Sequence, residues 1–193
     1  MTFHLPERDA CQYASCYCEE NVYKLIENLN SKSPDVLSNA YVVFISNENR
    51  CVPLWNQRAG REEDGLTLWD YHVILLYKGV DLQSTLVYDL DTRLPFPVEL
   101  PLYLVKAICN DDGLEENFHR KFRVIPGAEY LCNLSSDRRH MKSDDGWMQL
   151  PPSWSCIQGK ENISHNLDTF ISMAEGVGVG TVMNLSTFVQ TFS

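Results

Sequence analysis

The sequence has no uninterrupted apolar run of membrane-spanning length, and its start lacks a charged segment followed by an apolar one. Neither a transmembrane helix nor a secretory leader is expected. Positive charge is scarce: 16 Lys and Arg face 26 Asp and Glu, a formal net charge of −10. That balance offers no field to hold a phosphate backbone, so nucleic acid is not an expected partner, and neither is a membrane. Metal-knuckle spacing is absent too. Cys11, Cys16 and Cys18 follow C-x₄-C-x-C, with no paired C-x₂-C and no clustered His, which argues against a zinc site. Gly176-Val177-Gly178-Val179-Gly180 is not a G-x-G-x-x-G loop and lacks a following Lys-Ser/Thr, so a turn is expected there rather than a nucleotide cradle. No G-x-S-x-G elbow surrounds Ser15, which sets aside a serine triad. The basic run Arg138-Arg139-His140-Met141-Lys142 is flanked by Asp137, Asp144 and Asp145 and reads as a solvated mixed-charge surface.

What is present suits a folded, cytoplasmic chain. The 193 residues are 44% hydrophobic and 11% aromatic, enough for one domain (1–193) with a full core. Seven cysteines, an odd number scattered widely, read as free thiols in a reducing compartment, and the Asn133, Asn162 and Asn184 sequons then carry no glycan. Apolar positions Val22, Leu25, Ile26 and Leu29 predict an amphipathic helix from Cys18 to near Asn30, with a Glu20–Lys24 pair on another face. Strands are predicted over 40–46 and, through a hairpin, 51–55, where Pro53 forces an edge or irregular position. Further strands are expected at 71–77, 85–90 and 121–125, and helices at 98–109, 128–134 and, from a Ser186 cap, 186–192. Residues 56–65 form a polar surface loop that could rim a site, and 135–166 is polar and turn-rich. The fold class that follows is α+β, an antiparallel sheet packed with helices.

A thiol, an imidazole and a carboxylate occur where such a fold could gather them. If 71–77 and 85–90 form a hairpin centred on Val80 and Asp81, paired residue numbers sum to 161 and His72 lies opposite Asp89. Opposed residues share a face, close enough for an Asp to orient one imidazole nitrogen. Asp70 and Asp91 are alternative carboxylates. Cys18 is a better nucleophile candidate than Cys16, because the first turn of a helix favours a thiolate and supplies free N–H groups for an oxyanion. Glu19 and Glu20 oppose that ionisation by repulsion.

Several ordered blocks resemble the protein N-terminal glutamine amidohydrolase family: Ser15-Cys16-Tyr17-Cys18-Glu19-Glu20-Asn21, Trp69-Asp70-Tyr71-His72-Val73, and Tyr88-Asp89-Leu90-Asp91-Thr92 followed by Leu94-Pro95-Phe96-Pro97. The likeness continues through Phe122-Arg123-Val124-Ile125, Ser136-Asp137-Arg138 and His140-Met141-Lys142 to Asp168-Thr169-Phe170-Ile171-Ser172-Met173. The resemblance implies a papain/transglutaminase-like fold with its catalytic Cys at a helix N-terminus, working as a monomer without cofactor or metal in cytoplasm and nucleus. It also implies a Cys18, His72, Asp89 triad. The implied reaction converts the amino-terminal Gln of a protein or peptide to Glu through a thioester, feeding the arginyl transferase and ubiquitin ligase of an N-degron pathway. Departures at Arg138-Arg139 and in 56–65 fall outside the triad blocks. Recognising a chain terminus demands an anion and apolar walls, for which Glu19, Glu20 and Asp70, and Tyr17, Trp69 and Tyr71, are the candidates. A transglutaminase-like acyl transferase, a thiol peptidase and an adaptor that binds protein N-termini are the other readings.

Overall fold

The computed structural model describes residues 6–79 and 83–193. Its elements in chain order are helix α1 (Cys18–Lys32), strands β1 (Ala40–Ser46), β2 (Val52–Leu54), β3 (Thr67–Trp69), β4 (His72–Tyr77), β5 (Leu86–Tyr88) and β6 (Val98–Glu99), and helix α2 (Leu100–Tyr103). There follow β7 (Lys121–Pro126), α3 (Gly127–Asn133), β8 (Lys142–Ser143), β9 (Gly146–Trp147), α4 (Leu167–Ile171), β10 (Thr181–Asn184) and α5 (Leu185–Phe192). Six strands form one sheet in the order β10-β7-β1-β4-β5-β6, with each neighbouring pair antiparallel. The architecture is therefore mixed α and β, with a large antiparallel sheet between helices. No helix among the described residues is long and apolar enough to cross a membrane.

Both faces of the sheet are covered, which is why β1 and β4 read as continuous apolar runs rather than alternating ones. Val42, Phe44, Val73 and Leu75 meet Val22, Leu25, Ile26 and Leu29 of α1 on one face. Val43, Ile45, Ile74 and Leu76 meet Tyr103, Phe188 and Phe192 on the other. Each such fully buried side chain contributes about 1.5–3 kcal/mol.

Several sequence expectations are corrected. Residues 51–55 do not form a hairpin with β1; β2 pairs with β3 in a separate two-stranded sheet, with Pro53 opposite Leu68. Asn47 closes the intervening turn with its side chain, accepting from the amides of Asn49 and Cys51. The β4–β5 partners sum to 163 rather than 161, as in Leu75 with Tyr88, so His72 and Asp89 are not directly opposed. The predicted hairpin centre at Val80 and Asp81 lies outside the described residues. A slip of two keeps every side chain on its face, so the inference that His72 and Asp89 share one survives. The segment 98–109 begins as strand β6 before α2 and a π-helical turn at Leu104–Ile108. The α5 cap is the Asn184 side chain, which accepts the Thr187 amide, rather than Ser186.

Glu20 does not pair with Lys24, which bridges to Glu27 instead. Nor is Arg138 a solvated surface cation. It is 6% exposed and grips Glu20 with Nε and Nη2 at 2.9 and 2.8 Å, while Trp154 Nε1 donates to the same carboxylate at 2.7 Å. Nη1 donates to the Pro152 carbonyl, and Nη2 also reaches those of Trp154 and Ser155. This one guanidinium thus fastens the turn-rich 135–166 segment onto the first turn of α1. Arg139, by contrast, makes an exposed pair with Asp137, as the charge pattern predicted.

Breaking a buried ion pair from one side leaves the other charge stranded. Glu20→Ala should therefore lower unfolding free energy by about 3–5 kcal/mol, read as a shifted denaturant midpoint, whereas Arg139→Ala should leave the midpoint unchanged.

Candidate active site

At the end of the sheet where β4 begins and β5 has just ended, His72 Nε2 lies 2.9 Å from Asp89 Oδ1, and neither side chain is exposed. Asp89 also accepts the Tyr103 hydroxyl at 2.8 Å, the Asp91 amide at 2.9 Å and Gln57 Nε2 at 3.4 Å. Burial works against the Asp89 charge, but His72 and these donors outweigh it and hold the carboxyl below its usual range. An ionised carboxylate only accepts, so Nε2 carries the ring proton and Nδ1 keeps a lone pair. That Nδ1 is buried with no hydrogen-bond partner. Trp69 stacks on the ring at 5.3 Å between centroids, fixing its plane. Burial disfavours the imidazolium as well, yet Asp89, then Asp91, raise the His72 pKa above the ordinary 6.5.

Cys18 opens α1 and is 8% exposed. Its thiol donates to Glu19 Oε2 at 3.9 Å, and it lies in the same buried cluster as Val73, the residue after His72, so the helix start sits against the β4 start. A helix N-terminus by itself lowers a thiol pKa; that of Cys18 is instead raised well above its ordinary value, first by burial, then by Glu19, Asp91 and Asp70, with the Val73 amide opposing. The first-turn field is outweighed because these carboxylates crowd a dry site.

Cys18 opens onto a cavity of about 260 Å³ walled by Cys16, Trp69, Asp70, Tyr71 and Asp91. Across it stand His140 and Met148 from the 135–166 segment, and Arg50 and Asp168, paired at 2.7 Å. Of the residues proposed from sequence to contact a ligand, Trp69, Asp70 and Tyr71 line this space. Tyr17, Glu19 and Glu20 lie behind the wall: Tyr17 is fully buried with its hydroxyl on the Gln149 carbonyl, and Glu20 is engaged by Arg138. Glu19 accepts the Tyr71 hydroxyl at 3.0 Å and sits 3.5 Å from His140 Nε2.

Sequence reasoning missed Tyr13, Gln57 and Tyr103, none of which carries a local signal. The 56–65 loop does not line the cavity, as expected of a rim; it reaches the site from behind, through Gln57 on Asp89. Asp91 was visible only as a substitute for Asp89. It lies on the cavity side, its Oδ1 accepting the Tyr13 hydroxyl at 2.5 Å. One ligand-type atom each from His72, Asp89 and Asp91 falls within a 4.8 Å cluster, which the bonds of His72 and the Asp91 amide to Asp89 account for.

Alkylation of Cys18 by iodoacetamide should rise with pH through a midpoint above that of an ordinary cysteine. Glu19→Gln should lower that midpoint, because it removes a charge that opposes the thiolate; peptide mass spectrometry of labelled Cys18 reads both.

Residues 13–192 match the family model described as N-terminal glutamine amidase. The chain is similar to the protein N-terminal glutamine amidohydrolases of Drosophila melanogaster and Drosophila erecta, at 48% identity over 98% of this chain and 92% of each relative. That of Drosophila grimshawi is 47% identical over the same shares.

Proposed function

The chain belongs to the N-terminal glutamine amidase family, and we propose that it hydrolyses the side-chain amide of an amino-terminal glutamine in a protein or peptide, leaving glutamate and ammonia. It is an amidohydrolase by kinship at 48% identity over 98% of its length. The observation that carries the chemistry is the buried, unpartnered Nδ1 of His72, with Asp89 holding the opposite nitrogen and Cys18, at the start of α1, in one buried cluster with the next residue, Val73.

In this reading Cys18 rests as a thiol and surrenders its proton to His72 Nδ1 as the sulfur attacks the carboxamide carbon. The Val73 amide, together with free N–H groups at the α1 start, favours the developing negative charge. His72 then protonates the departing ammonia, leaving a glutamyl thioester, and next activates water to release glutamate. Asp89 orients the ring and stabilises the imidazolium at each transfer. Trp69 and Tyr71 form walls for the glutamine side chain. A product that begins with Glu suits an N-degron pathway, with an arginyl transferase and a ubiquitin ligase acting after this enzyme in cytoplasm and nucleus.

A Gln-initiated peptide incubated with the protein should gain about 1 Da with release of ammonia, and Cys18→Ala should abolish this. An amine adduct would instead mean acyl transfer, a shortened peptide proteolysis, and an unchanged peptide an adaptor.

Catalysis needs neutral His72, so the rate should fall as pH drops through its raised pKa, placing the acidic limb of kcat/KM above pH 6.5. Asp89→Asn removes the strongest influence that raises this pKa. The limb should move to lower pH while kcat drops by roughly 10²–10⁴.

A further inference from the structure

The cavity holds more carboxylate than the proposed triad uses. Of its three lining acids, Asp168 is already neutralised by Arg50 at 2.7 Å, with its side chain 72% exposed. Asp70 is exposed, with one oxygen accepting the Tyr71 amide, and an ion pair formed there would gain little in water.

Asp91 differs from both. It is 8% exposed, and its backbone is fixed on both sides, the amide to Asp89 and the carbonyl to Arg58 N–H. Tyr13 holds one carboxylate oxygen at 2.5 Å. Burial is the main force raising the Asp91 carboxyl pKa; His72, with a ring atom within 4.8 Å, opposes it, and Arg58 adds less. The direct ion pair of His72 is with Asp89, and its ring is neutral in the reactive state, so a buried Asp91 carboxylate is then costly and a cation arriving in the cavity would relieve that cost.

The substrate proposed above brings such a cation. In glutamine the amide carbon and the α-nitrogen are separated by four bonds, roughly 5 Å at full stretch. Cys18 and Asp91 line the same cavity of about 260 Å³, so one residue can present its amide to the sulfur and its ammonium to Asp91.

We propose that Asp91, oriented by Tyr13, receives the free α-ammonium of the substrate and thereby confines the site to chain termini. The inference rests on the N-terminal glutamine reading. It accounts for why an internal glutamine, which carries a neutral amide in place of the ammonium, is excluded. A bound ammonium also cancels a charge that opposes the Cys18 thiolate, so the nucleophile is activated only when a terminus is seated.

Two peptides that differ only at their start separate the possibilities: one begins with Gln, the other with a 4-carbamoylbutanoyl cap that keeps the side-chain amide and lacks the α-amine. Ammonia release by the wild-type protein should favour the Gln peptide by roughly 10–100-fold in kcat/KM, the range for a charge-assisted hydrogen bond. In Asp91→Asn this preference should collapse toward one, with the loss on the Gln peptide appearing mainly in KM. Tyr13→Phe, at a 40% exposed position, should reduce the preference several-fold. An Asp91→Asn protein that keeps the wild-type preference, losing rate equally on both peptides, would overturn the proposal and make Asp91 a partner of His72 alone. Should Asp91→Asn not fold, an undiminished preference in Tyr13→Phe overturns it instead. A wild-type protein that releases ammonia from neither peptide removes the N-terminal glutamine reading along with this one.

Discussion

His72 and Asp89 meet at 2.9 Å with no exposed surface on either side chain, and the rest of the site is arranged around keeping that contact charged and directional. Burial alone pushes both groups toward neutrality. What reverses it is the number of donors on Asp89: the ring, the Tyr103 hydroxyl, the Gln57 amide and a backbone N–H. With Asp89 ionised, the ring has one tautomer and its free nitrogen a fixed direction. Trp69, stacked on one face of the ring, holds its plane.

The same dry environment treats neighbouring carboxyl groups in opposite ways. Asp89, surrounded by donors, falls below its ordinary pKa; Asp91, two residues on and given a single tyrosine, rises above it. In the proposed mechanism this divergence separates an orienting role from a ligand-facing one. Glu20 is a third case, neutralised within the fold by Arg138 and given over to holding the long 135–166 segment in place. That segment brings His140 and Met148 to the far wall of the cavity, so an ion pair behind the helix shapes the space in front of it.

The elements most legible in the sequence were those with strong periodicity or continuous apolar runs. Helix α1 begins at Cys18 as its i, i+3, i+4, i+7 spacing predicts, and runs to Lys32, two residues past the expected end. Strands β1, β4 and β7 fall where their β-branched runs place them. The partner of β2, the strand at 98–99 and the edge strand β10 were not legible, since short strands owe their pairing to distant neighbours rather than to local propensity. The β4–β5 register was displaced by two residues, a shift invisible to face-parity reasoning because side chains alternate with period two.

By itself, the sequence determined the reactive residue types, their order and the elements that carry them: a cysteine opening an amphipathic helix, and a histidine and an aspartate bounding two buried strands. Local pattern suffices for this, since periodicity and side-chain chemistry are properties of near neighbours. Tertiary structure alone decided which charges would be silenced and which left available. Arg138 and Glu20 are 118 positions apart, Tyr13 and Asp91 are 78, and no local signal couples them. The electrostatic state of a buried group depends on what surrounds it in space, and that is set only when the chain has closed around it.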